Sequence, residues 1–143
     1  MKTSWPIGIS FTLRAEGNLS DLRDDPGGST IMGISSHYWP KEYKAIKDLL
    51  PTSRQAYAEA FYKIHFWTPL DCDDLSYPLD IVVFDSSVNL GPSWARTTLI
   101  LTQDWNEYLR QREEHYHASA KPEFLKGLLN RCEALRAMIL KEA

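Results

Sequence analysis

The chain has 143 residues, 43% hydrophobic and 24% charged, which suits one compact domain around a single apolar core and leaves no room for a second full one. A formal charge of -3 lacks the clustered cationic excess that neutralises phosphates, so a general nucleic-acid binder is excluded. The same charge gives no bulk attraction to an anionic polymer, and adhesion to one would have to come from groove contacts.

The amino end shows no basic segment followed by a long apolar stretch, and Pro6 and Gly8 interrupt it, so no Sec signal is read there. Trp5, Ile9, Thr12, Leu13 and Glu16 fall on one side of a first helix that Gly17 is expected to end, which would place Glu16 at a helix terminus facing the interior. From Asn18 to Ser36 the chain is polar and turn-rich, with Asp25-Pro26-Gly27-Gly28 as a tight turn, and reads as a loop or a short hairpin. After Pro51, Thr52 or Ser53 can cap a helix whose apolar stripe is Ala56, Tyr57, Ala60, Phe61 and Ile64.

A buried helix is expected from about Leu79 to Leu90, stopped by Gly91, with Pro92 in the first turn of the next; its run Ile81-Val82-Val83-Phe84 would also suit a buried strand. The longest apolar runs, such as this one, fall far short of the roughly 20 residues of a membrane helix, so a soluble protein without an integral membrane segment is expected. Pro92 to Tyr108 and Phe124 to Leu140 keep helical spacing, and Leu125, Leu128, Leu129, Cys132, Leu135 and Ile139 form a strong final stripe. Cys72 and Cys132 have neither metal-site nor redox-pair spacing and are expected as free thiols. The fold class is mainly α, in one domain.

The chemistry concentrates in Arg14-Ala15-Glu16-Gly17-Asn18, Asp24-Asp25-Pro26-Gly27-Gly28-Ser29-Thr30 and Gly33-Ile34-Ser35. Glycoside cleavage needs one acid that holds a proton near neutral pH and a second polar site that handles water or the developing positive charge. Glu16 suits the first role; Asp25 and Thr30 suit the second. On spacing alone each has a plainer reading: a solvated helix-end charge for Glu16, turn chemistry for Asp24 and Asp25, a local backbone bond for Thr30. Gly27-Gly28-Ser29-Thr30 lacks the lysine and preceding strand of a phosphate loop, and no Gly-x-Ser-x-Gly elbow occurs.

Asp85 and Asn89, four apart on one helix face, could line a sugar groove or satisfy buried helix ends. Trp39, Tyr62, Tyr38 and above all Trp67 could stack on sugar faces, although aromatics in a small domain mostly serve the core. His115 and His117 have no third ligand spaced to join them, so no metal site is read.

Taken together, Glu16-Gly17, Asp25-Pro26-Gly27-Gly28-x-Thr30, Gly33-Ile34-Ser35, the Tyr62 to Trp67 helix end, Phe84-Asp85-Ser86-Ser87-Val88-Asn89-x-Gly91 and Phe124-Leu125-Lys126-Gly127-Leu128-Leu129-Asn130-Arg131 resemble the bacterial and phage muramidases of glycoside hydrolase family 108. The resemblance runs through most of the chain. It implies a lysozyme-like helical fold, Glu16 as catalytic acid and a second half similar to the family's peptidoglycan-binding region. The spacing Glu16, eight residues, Asp25, four residues, Thr30 is also similar to phage lysozymes, which implies that Asp25 and Thr30 position the attacking water of an inverting enzyme. Family members commonly carry a second glycine after Glu-Gly; here Asn18 stands there, a residue that tolerates the left-handed conformation.

The expectation is a single lysozyme-like domain, with residues 1–75 as catalytic lobe and 76–143 as a helical wall-binding lobe. It would act as a monomer on peptidoglycan glycan strands without metal or organic cofactor. Without a Sec signal it would be made in the bacterial cytoplasm and reach the periplasm or wall through a holin, a phage apparatus or a secretion machine. The alternatives are a catalytically silent peptidoglycan-binding or phage or secretion structural component, and a chitinase-like glycosidase on the same fold.

Overall fold

The computed structural model describes residues 4–20 and 29–142, and over these the chain is mainly α, in the lysozyme-like class expected, with seven α-helices and a single two-stranded sheet. It divides into two compact units, Ile9–His65 and Met1–Gly8 with Phe66–Ala143.

The Ile9–His65 unit holds most of α1 (Trp5–Ser20), the antiparallel pair β1 (Thr30–Ile31) and β2 (Ile34–Ser35), α2 (Pro40–Lys47), a 3-10 turn at Pro51–Ser53 and α3 (Arg54–Tyr62). Gly17 does not end α1: the helix runs through Glu16, Gly17 and Asn18 to Ser20. Glu16 therefore sits in a helical turn, with no chain reversal at Asn18. The polar segment after α1 resolves into a hairpin in which Thr30 faces Ser35 and Ile31 faces Ile34. Its two connecting residues, Met32 and Gly33, have φ of 52° and 84°, the doubly left-handed conformation that fits the twist of a tight hairpin. The expected turn Asp25-Pro26-Gly27-Gly28 lies outside the described residues, as does Asp24.

Helix α2 carries only Tyr43, Ala45 and Ile46 as apolar residues, and Pro40 opens it at the first turn. Helix α3 is present, but its buried face is Ala58, Phe61 and Tyr62; Ala56, Ala60 and Ile64 of the expected stripe are exposed. Burying the rings of Phe61 and Tyr62 removes more apolar area from water than burying two alanine methyls, and this sets the helix rotation. A π-helical turn, Lys63–Trp67, follows.

In the second unit, 3-10 turns Thr68–Leu70 and Cys72–Asp74 lead to α4 (Leu79–Leu90), α5 (Pro92–Leu101), α6 (Trp105–Ser119) and α7 (Pro122–Glu142). The run Ile81-Val82-Val83-Phe84 is helical, and every residue from Leu79 to Ser87 is buried, Asp80, Asp85, Ser86 and Ser87 included, so this helix is enclosed on all sides. Gly91, with φ 97° and ψ 151°, ends α4 in a conformation open to glycine, and Pro92 starts α5. The helical stretch expected from Pro92 to Tyr108 is in fact two helices. Asp104 separates them by accepting a 2.8 Å bond from the Glu107 N–H, an N-cap that begins α6.

The core of this unit gathers around α4. The first turn of α1 approaches so closely at Gly8 that a β-carbon there would stand 3.1 Å from Ile81 Cγ2. Trp5 meets Trp67 and Phe84 edge-on with ring centroids 5.2 Å away in both cases. Both cysteines are buried free thiols, and burial pushes each thiol up from its ordinary value. Among the described residues no helix is long and apolar enough to cross a membrane.

Candidate active site

The site in the first unit is assembled by three elements. Helix α1 delivers Glu16, which is partly buried; the hairpin delivers Thr30 and the Met32-Gly33 turn; α3 delivers Tyr62. Gly33 is the meeting point. A β-carbon built on it would stand 2.9 Å from Glu16 Cβ and 3.3 Å from Glu16 Cγ, and would collide with the Tyr62 hydroxyl. Only a glycine supplies both the positive φ and the missing volume that let the glutamate stem lie on the turn.

Tyr62 is 2% exposed, and its hydroxyl donates a 2.8 Å bond to the Met32 carbonyl. Its ring is therefore core and its polar tip fixes the turn, so it braces the hairpin rather than stacking on a sugar. Thr30 Oγ1 is buried and has no hydrogen-bond partner among the described residues. A buried hydroxyl in that condition is available to a water or a ligand atom. Asp25, the other residue expected on the water side, lies outside the described residues.

After β2 the chain is pinned by Ser35, whose Oγ accepts from the backbone N–H groups of His37 and Tyr38 at 3.1 and 3.2 Å. The chain then presents Trp39, half-buried, with its ring 4.9 Å from Phe61 edge-on and 4.6 Å from His65. Tyr38 is 67% exposed. Trp39 and Tyr38 thus keep accessible aromatic surface in the unit that holds Glu16.

Trp67 does not. It is 0% exposed, wedged between Trp5 and Phe84, and its Nε1 donates to Asp73 Oδ1 at 2.9 Å. The expectation that it stacks on a sugar is replaced by a core role, because the indole packs on Trp5 and on Phe84 of α4 and its N–H is satisfied by Asp73.

Asp85 is likewise 1% exposed and belongs to an ion-pair hub rather than to a groove wall. Arg112 Nη1 donates to Asp85 Oδ2 at 2.9 Å, and Arg131 Nη2 donates to Asp85 Oδ1 at 2.8 Å. Arg112 also donates from Nη1 to Ser86 Oγ at 3.1 Å and from Nε to the Tyr116 hydroxyl at 2.7 Å. Burial alone would lower the Arg112 pKa, yet Asp85 and Tyr116 more than offset this and hold it above its ordinary value, so the guanidinium stays charged. Tyr116 in turn donates to Asn89 Oδ1, and Asn89 is half-buried at the end of α4.

Sequence reasoning missed Arg112, Arg131 and Tyr116. The signal was an arginine in a buried helical phase: Arg112 stands between Leu109 and Tyr116, and Arg131 precedes Cys132 of the final stripe. Charges at such positions need a buried partner of opposite sign, and Asp85 lies inside the most apolar helix.

No curated protein and no solved structure matches the chain. A model of the family described as Glycosyl hydrolase 108 matches residues 9–91, more than half of the chain, a span that includes Glu16, the hairpin, Tyr62, Asp85 and Asn89. The chain therefore belongs to glycosyl hydrolase family 108 and is a glycosidase.

Proposed function

We propose that the chain is an N-acetylmuramidase that cleaves the β-1,4 bond between N-acetylmuramic acid and N-acetylglucosamine in peptidoglycan. Glu16 is the general acid that protonates the leaving oxygen, and the observation that carries this role is its stem held on the Gly33 turn braced by Tyr62. A positioned acid contributes about 10² to 10⁴ in rate. The Thr30 hydroxyl, without a partner among the described residues, supports a role on the water side, with Asp25 as its companion. Trp39 and Tyr38 are the aromatic surfaces offered to the glycan. In this reading the protein works as a monomer in the periplasm or wall after release by a holin, a phage apparatus or a secretion machine.

Asn18, in place of the family's second glycine, motivates a second reading in which the chain binds the wall without turnover. Incubation with purified sacculi separates the two. Release of reducing ends by wild type supports the enzyme, whereas sedimentation with sacculi without any release overturns it in favour of the binding module. Release from chitin oligomers in preference to sacculi would instead mark a chitinase-like specificity.

A further inference from the structure

In the Ile9–His65 unit, the backbone of Trp39 is held on both sides. Its N–H donates to the Ser35 carbonyl at 2.9 Å, and its own carbonyl accepts the Tyr43 N–H at 2.8 Å where α2 begins. With the main chain fixed, the freedom left to the indole lies in its two side-chain torsions, and ring packing restricts these. Phe61 meets the indole edge-on with centroids 4.9 Å away, and His65 meets it at 4.6 Å with a 48° tilt. Phe61 and His65 lie 4.8 Å from each other, so the three rings close into one cluster. They are four positions apart, on one side of the helical stretch that runs from α3 into the π-helical turn Lys63–Trp67.

The members of this cluster serve different ends. Phe61 is 5% exposed and belongs to the core. His65 is half-buried, as Trp39 is, and it stands in a π-helical turn, an irregularity that recurs at functional sites. Packing alone would be served better there by an aliphatic or phenyl side chain, which has no polar atoms to solvate. An imidazole can keep its polar edge in water while the body of its ring limits the rotation of the larger indole. An aromatic surface ordered before the ligand arrives takes up a sugar without the cost of immobilising the side chain. We infer that His65 is a positioning residue for substrate binding: it holds the Trp39 indole in the orientation that stacks on an N-acetylhexosamine ring. It acts on binding and not on the bond-breaking step assigned to Glu16. The inference rests on the reading of Trp39 as a surface offered to the glycan.

The test uses the full chain and the peptide-free tetrasaccharide of alternating N-acetylglucosamine and N-acetylmuramic acid, titrated by calorimetry in a Glu16→Gln parent so that binding is read without turnover. Trp39→Ala and His65→Ala are each expected to weaken binding at least about fivefold, and the double variant to bind no more weakly than Trp39→Ala alone. His65→Phe restores a ring and is expected to return affinity to within about twofold of the parent. With Glu16 intact, His65→Ala raises KM on soluble glycan strands at least about fivefold and leaves kcat within about twofold. Additive losses in the folded double variant, a His65→Phe affinity as low as that of His65→Ala, or no tetrasaccharide binding by the parent overturns the inference. Should His65→Ala not fold, His65→Gln takes its place with the same expectations. A coupled loss at Trp39 and His65 in a protein whose wild type releases no reducing ends from sacculi sinks the muramidase reading and leaves the positioning role standing. Normal release by wild type with unchanged affinity in folded His65→Ala does the reverse.

Discussion

Gly33 and Glu16 are in such close approach that a β-carbon on the glycine would stand 2.9 Å from the glutamate's own Cβ. The same glycine has φ 84°, and the carbonyl just before it is held by Tyr62. A strained turn, a bracing phenol and a carboxylate stem therefore share one point, and the placement of Glu16 depends on backbone thirty residues from Tyr62 in sequence.

Gly33→Ala meets both obstacles at once, an unfavourable φ and a steric overlap, and is expected to destabilise the protein by about 2 kcal/mol or more. Activity should fall further than stability explains, because the methyl displaces Glu16. Gly17→Ala is the contrasting change: it lies in a helical turn with nothing among the described residues within 4 Å of the new methyl, and should stabilise by about 1 kcal/mol. Urea denaturation of the two variants checks the opposite signs.

Thr30→Val replaces a buried hydroxyl that has no partner among the described residues by a methyl of the same shape. Removing an unsatisfied polar atom is neutral or stabilising, by up to about 1 kcal/mol. Hydrolysis should nevertheless drop by at least about tenfold if that hydroxyl positions water. A thermal melt together with an initial-rate assay separates the two effects; a stability loss with full activity would return Thr30 to a purely local role.

Much of the fold was legible because its signals were local. The Gly91-Pro92 junction and the stripe ending in Cys132, Leu135 and Ile139 could be read directly from residue type and spacing. Other features were set by packing that no local window contains. The phase of α3 buried Tyr62 with Phe61 and left Ala56 and Ala60 outside, Gly17 stayed helical, and Trp67 went inward onto Trp5 and Phe84. In the candidate site, the turn-rich stretch after α1 was legible as a loop or short hairpin, and its described part forms β1 and β2, but Tyr62 as the brace of their turn is a contact across thirty residues. The hub on Asp85 joins residues 27 and 46 positions apart, beyond the reach of periodicity.

Asp85→Asn would leave Arg112 and Arg131 buried against a neutral amide. Breaking a buried pair from one side typically costs about 3–5 kcal/mol, and Asp85 is 1% exposed, so little water can compensate. The expected outcome is a large loss in chemical-denaturation midpoint. A change below about 1 kcal/mol would mean that the hub is not a stabilising element.

Asp80 provides a pH signature. Burial raises its pKa from the ordinary value of 3.8, and bonds from Ile81 and Ser4 only partly oppose this. The folded state therefore holds the proton more tightly than the unfolded chain. Its contribution to stability is greatest below the unfolded pKa, is lost as pH rises through that value, and is gone above the raised folded one. Melting temperatures followed upward from pH 3.5 should show Asp80→Asn with a shallower decline over that window than wild type; parallel curves would contradict the assignment.

The role of Glu16 as general acid of a muramidase is tested by mass spectrometry of the muropeptides released from purified sacculi by wild type and Glu16→Gln in parallel, with both proteins shown to be folded. Wild type is expected to release fragments with new reducing ends at N-acetylmuramic acid, and Glu16→Gln to lose about 10² to 10⁴ in their rate of appearance. Equal release by the two proteins, or new ends at N-acetylglucosamine, would contradict that role.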